Sequence, residues 1–155
     1  VEPEVYMRLE KLADLRGRLL SLVGADAEAF GPLAAAYRMP KDTPEQLAAK
    51  QAAIQDALVD ATEVPLDIMR TAAACVEHAD FLARNGSRMA RSDAGVSVAF
   101  VRAAVDGASL NVYINAASID DAERAARYRD EADRLVAQTR EHCDEVFAFV
   151  KDAVS

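Results

Sequence analysis

Apolar residues step along most of the chain at intervals of three or four, the spacing that puts side chains on one face of a helix. The first such series runs Val5, Leu9, Leu12, Leu15, Leu19, Leu22, Phe30, Leu33 and Tyr37, which predicts a long helix with one buried stripe. Gly31 and Pro32 should kink or briefly break it, since Pro32 has no N–H for the carbonyl of Glu28. The stretch Arg38–Asp42 reads as a loop around Pro40. Thr43, Pro44 and Gln46 then form the start signal of a second helix: a side-chain cap, a proline suited to the first turn, and the return half of a capping box.

That second series runs Leu47, Ile54, Leu58, Ala61, Ile68, Ala72, Cys75, Ala79 and Leu82, and stops at Asn85–Gly86. Pro65 lies inside it and frees the carbonyl of Ala61, so a kink, or a division into two helices, is expected there. After a loop over Gly86–Arg91, Ser92 is read as the cap of a third helix reaching Ala117, with Asp93 at its positive end. Leu110–Asn115 is rich in strand-forming residues yet is read as helical. Ser118 with Asp121 opens the last helix, whose apolar positions are Tyr128, Leu135, Val136, Thr139, Cys143, Val146, Phe147 and Val150. The expectation is one all-α domain over residues 1–155, a bundle of long, kinked, mainly antiparallel helices joined by short loops.

Composition narrows the partners. With 155 residues, 52% apolar and 28% charged, the chain is long enough for a proper core and too apolar for disorder. Trp is absent and about a fifth of the residues are Ala, which suits closely packed helices. A net charge of −8 argues against nucleic acid as partner. No uninterrupted apolar run approaches the length of a membrane span, so no membrane partner is expected. Cys75 and Cys143 read as buried small hydrophobes of a reducing compartment. The opening Val1-Glu2-Pro3 is followed by no signal segment, so a cytoplasmic protein, shortened at its start, is expected.

Candidate chemistry begins with Asp26, four residues after Leu22 and four before Phe30 on the stripe expected to be buried. It either caps a frayed turn near Gly24, pairs with a base on another helix, or stands as a general acid or base whose pKa burial raises. A second unusual face joins Asp93, Ser97, Ala104, Ala108, Asn111 and Asn115. It is either a solvated or close-packed face, or the wall of a cavity in which the two amides meet a heterocycle. Arg38 and Lys41 flank Pro40 and make a small basic spot in an acidic chain. His78 and His142 are expected at the surface, and no metal site is expected. No phosphate-binding loop, dinucleotide fingerprint or nucleophile elbow occurs.

Five short stretches occur together in a telling order: Asp26-Ala-Glu-Ala-Phe30, Tyr37-Arg-Met-Pro-Lys41-Asp-Thr-Pro-Glu45, Val64-Pro-Leu66, Ser92-Asp-Ala-Gly95 and Asn111-Val-Tyr-Ile-Asn115. The set resembles the formiminotransferase-cyclodeaminase family, its cyclodeaminase domain and the stand-alone methenyltetrahydrofolate cyclohydrolases. The resemblance implies an all-helical homodimer acting on one-carbon units of tetrahydrofolate without a tightly bound cofactor. It implies hydrolysis of 5,10-methenyltetrahydrofolate to the 10-formyl compound, or deamination of 5-formiminotetrahydrofolate. Asp26 carries over as the catalytic residue, and Arg38, Lys41, Asp93, Asn111 and Asn115 are assigned to substrate binding from position. Family members usually begin with a helix preceded by a Gly-rich Pro-x-x-Pro-Gly-Gly-Gly-Ser segment. Neither is present in this sequence, so a non-catalytic folate-binding or oligomerising module is the alternative.

Overall fold

A computed structural model describes residues 2–155. Four long helices, α1 (Glu2–Tyr37), α2 (Pro44–Asn85), α3 (Arg91–Ala116) and α4 (Ala122–Val154), are accompanied by one short 3-10 turn at Arg88–Ala90. No strand occurs among the described residues, and Leu110–Asn115 is helical as expected. Cross-helix pairs fix the directions. Arg8 meets Glu77 at 3.3 Å and Arg18 meets Asp67 at 3.5 Å, so α1 runs antiparallel to α2. Arg102 meets Asp144, Arg140 meets Asp106 and Tyr113 donates to Asp133, so α4 runs antiparallel to α3. α2 is the central element and touches the other three.

The local signals hold with four corrections. Thr43 accepts from the Gln46 backbone N–H at 3.2 Å, but Gln46 Oε1 accepts from Asp42 N rather than from Thr43 N, closing the box one residue early. Neither proline divides its helix, so the break considered at Gly31–Pro32 does not occur. Proline removes one hydrogen bond, and the packing of Leu33 against Leu58 and Ala61 holds the turn that follows Pro32. Ser92 is no cap, because Ser87 accepts from Met89 N and starts a 3-10 turn that leads straight into α3. Asp121 alone caps α4, accepting from Arg124 N at 3.0 Å, without help from Ser118.

The core lies between α2, α3 and α4. One cluster joins Leu66, Met69, Val105, Val112 and Leu135, and a second joins Val76, Val98, Cys143, Val146 and Val150. Gly95 lets α3 and α4 close on each other, since a methyl built there would stand 2.8 Å from Val150 Cγ1. Gly95→Ala is expected to cost about 1–3 kcal/mol in denaturant unfolding despite alanine's better helix propensity.

Arg70 ties α2 to α4 with a two-pronged contact to Glu131 at 2.8 and 2.9 Å, and it also holds Glu63 and Asp67. The guanidinium holds the Glu131 carboxyl below its ordinary 4.5. A depressed carboxylate contributes stability above its unfolded pKa and loses it as pH falls through the folded one. Arg70→Met is therefore expected to cost about 1 kcal/mol at neutral pH, a figure reduced for partial solvent exposure. The difference should vanish as an acid titration passes below the carboxylate range.

α1 departs from its expected burial. Only Leu22, Leu33 and Ala36 are buried along it, while Leu9, Phe30 and Tyr37, placed on the inward stripe by periodicity, are exposed. The reason is that α1 packs mainly on α2, so a helix with apolar residues on two flanks covers one. Its most apolar window reaches a mean hydropathy of 1.3, long and apolar enough by length and composition to cross a membrane, with 17% of that window buried. The absence of an uninterrupted apolar run had hidden this.

Candidate active site

α1 and α3 lie on the same side of α2 and leave a groove between them. At one end is a cavity of about 360 Å³ lined by Asp26, Phe30, Leu33 and Tyr37 of α1, Ala61 of α2, and Asn111, Ile114, Asn115 and Ser118 at the end of α3. The spacing explains the gathering: steps of four, three and four place the α1 residues on one face, and Asn111 and Asn115 stand one turn apart.

Asp26 is half-buried at the wall rather than sunk in a core. The ion pairs among the described residues all involve other carboxylates, so Asp26 is not the partner of a base on another helix. Asn115 donates from Nδ2 to the carbonyl of Ala61 at 2.7 Å. Asn111 is exposed on the turn before it.

The surrounding loops are tied by residues that sequence reading passed over. Lys50 Nζ donates to the carbonyls of Tyr37 (2.7 Å) and Met39 (3.0 Å), fixing the α1–α2 connection. Gln55 Nε2 donates to Ser118 O while its Oε1 accepts from Asp120 N, clamping the α3–α4 connection. Both are polar residues on the flank of the α2 stripe next to Ile54, and that position was the available signal.

The structure thus unites Asp26, Asn111 and Asn115. Arg38 and Lys41 sit, exposed, in the connection directly after Tyr37, at the same end of the groove but outside the cavity lining. Asp93 does not join the group. It lies at the opposite end of α3, roughly 33 Å along the helix from Asn115, in a separate cavity of about 430 Å³ with Leu12, Leu19, Cys75, Leu82 and Val101. A shared helical face extends over the whole of α3, and a shared site does not.

Burial pushes the Cys143 thiol up to about 11 and raises that of Cys75, so both stay protonated and unreactive near neutral pH. His78, expected at the surface, is largely covered, with Nδ1 3.1 Å from Arg8 Nη1. His142 is half-exposed, 3.5 Å from Asp80.

The formiminotransferase-cyclodeaminase family model matches residues 1–134. The methenyltetrahydrofolate cyclohydrolase of Methylorubrum extorquens is 37% identical over 155 residues, covering 100% of this chain and 74% of that protein. The formimidoyltransferase-cyclodeaminase of Sus scrofa is 36% identical over 123 residues, 79% of this chain but 23% of that longer protein. The crystal structure of formiminotetrahydrofolate cyclodeaminase from Thermotoga maritima superposes with a TM-score of 0.75 at 24% identity, over 99% of this chain and 70% of that one, a likeness of fold. By the family model and by identity over its whole length, the chain belongs to the formiminotransferase-cyclodeaminase family.

Proposed function

We propose that the chain is an enzyme of folate one-carbon metabolism that hydrolyses the methenyl bridge of 5,10-methenyltetrahydrofolate. The observation that carries the reading is Asp26: a carboxylate with no ion-pair partner among the described residues, on the wall of a cavity large enough for a bicyclic ring, together with two amides and an apolar surface. The methenyl bridge is a delocalised amidinium cation, and a nearby carboxylate both attracts it and can accept a proton. Water adds to the bridge carbon while Asp26 takes its proton. The tetrahedral adduct then collapses with cleavage of the bond to N5, the electron pair staying on N5, which receives the proton held by Asp26, while the hydroxyl proton of the adduct passes to solvent as the formyl C=O forms on N10. This sequence needs no metal or organic cofactor. Arg38 and Lys41, exposed at the same end of the groove, are the residues we assign to the glutamate tail of the folate. Deamination of 5-formiminotetrahydrofolate would use the same carboxyl to move a proton as N10 attacks the formimino carbon and ammonia leaves.

A homodimer belongs to the same reading. The chain exposes 9245 Å², whereas a compact monomer of its mass exposes roughly 7,600 Å². The excess is of the size an obligate interface covers. An exposed strip on α3 supports it: Val96, Phe100, Ala103, Gly107, Leu110 and Ile114 follow one another in alternating steps of four and three, the spacing of a helix-on-helix seam. A second copy is the occupant proposed for it.

The test is loss of the bridge absorbance of 5,10-methenyltetrahydrofolate over the spontaneous rate. Binding without acceleration would favour the folate-binding module, and neither binding nor acceleration would remove the folate reading altogether.

A further inference from the structure

We infer that Pro65 and Asn115 work as a pair: Pro65 leaves the Ala61 carbonyl without its helical donor, Asn115 commits one of its two amide hydrogens to that carbonyl, and the amide so fixed holds its oxygen in a set position as an acceptor beside the cavity. Asn115 is then a specificity-determining residue that accepts a hydrogen bond from an N–H on the ligand.

In an α-helix the carbonyl of residue 61 accepts from the N–H of residue 65, and a proline there has none. Ala61 and Pro65 are both buried, so water does not readily replace the lost donor. Asn115 Nδ2, 2.7 Å away on α3, supplies it. That contact also settles which end of the amide is which, because turning it over would set oxygen against oxygen. Asn115 and Ala61 both line the Asp26 cavity, and among the described residues Asn115 Oδ1 has no hydrogen-bond donor, so it stands as a free acceptor there, beside the one hydrogen that Nδ2 retains.

Asn111, one turn earlier and exposed, can turn either end of its amide toward a ligand. Asn115 cannot. With Asp26 also an acceptor, the cavity holds two acceptors of settled position, the Asp26 carboxylate and Asn115 Oδ1, against apolar walls from Phe30, Leu33 and Ile114. Such a site favours a heterocycle that carries N–H groups on its edge, or positive charge, over one that carries only acceptors. A reduced pterin satisfies this. The identity of the ligand rests on the folate reading, while the pairing of Pro65 with Asn115 does not.

Two readouts test it. Thermal unfolding of a double-mutant cycle reads the pairing. Asn115→Ala is expected to lower the midpoint by about 5 °C in the wild-type background. Beside Pro65→Ala it should lower it by less than half as much, because the backbone N–H restored at position 65 serves the Ala61 carbonyl. Equal losses in the two backgrounds overturn the pairing.

Steady-state kinetics with 5,10-methenyltetrahydrofolate reads the acceptor role. Asn115→Ala should raise KM about tenfold or more with kcat changed less than about threefold. Asn115→Asp keeps an acceptor but has no hydrogen for Ala61, so it should recover KM while retaining the lowered midpoint. An Asn115→Asp protein with the KM of Asn115→Ala overturns the acceptor role. Failure of the wild type to bind this compound overturns the ligand half together with the folate reading, and the thermal cycle decides the pairing in either case.

Discussion

Asp26→Asn is expected to lower kcat for hydrolysis of 5,10-methenyltetrahydrofolate by about 100- to 10,000-fold, the usual worth of a positioned general base. The substitution preserves shape and removes charge and basicity, and Asp26 forms no ion pair among the described residues, so the unfolding midpoint should stay within about 2 °C of the wild type. KM should rise more modestly than kcat falls, because attraction between the carboxylate and the cationic bridge acts in the ground state as well. The effect on kcat and the silence in stability belong together. A variant that turns over at the wild-type rate would remove Asp26 from the chemistry. One that loses activity only by unfolding would make it a structural residue.

Periodicity made the four helices legible because each carries a face that must be buried, and Thr43, Asp121 and Gly86 marked real ends. It failed where one helix face serves two purposes. On α1, Leu22 and Leu33 go inward while Phe30, on the same apparent stripe, lies at the rim of a cavity and on the outer surface. A spacing of three or four cannot tell a core from a groove, since both gather side chains on one side.

The candidate site was legible to the extent that its residues are close in sequence or separated by whole turns. Asp26 came from a charge in an apolar series, and Asn111 with Asn115 from two amides one turn apart. Asp93 came from the same periodicity and was misplaced, because a face shared along roughly 39 Å of helix is no measure of distance. Lys50 and Gln55 act through backbone carbonyls and amides of loops distant in sequence, and helical patterning carries no information about such contacts. The released carbonyl of Ala61 was foreseeable from Pro65, whereas its partner depended on the register of α3 against α2, which only the assembled bundle sets.

The second large effect concerns association. Phe100→Glu is expected to weaken self-association by about 30-fold or more, read as conversion of dimer to monomer in sedimentation at micromolar protein, since a central aromatic anchor is typically worth about 2 kcal/mol or more. Phe100 is 72% exposed in the single chain, so a charge placed there has no reason to harm an isolated monomer. A second substitution gives the argument its sign. On α1, Ala13, Gly17, Leu20, Gly24, Ala27 and Gly31 repeat the alternating steps of four and three, all on the exposed side. A Cβ added at Gly17, Gly24 or Gly31 would meet nothing within 4 Å in the single chain. Each glycine costs about 1 kcal/mol of helix propensity relative to alanine, and a lone chain gains nothing in return. Close approach of another helix is what such a series allows. Gly17→Ala should therefore stabilise a protein that works as a monomer and weaken association in one that pairs through this ridge. A rise in unfolding midpoint with unchanged, monomeric sedimentation for both wild type and variant would take the dimer away.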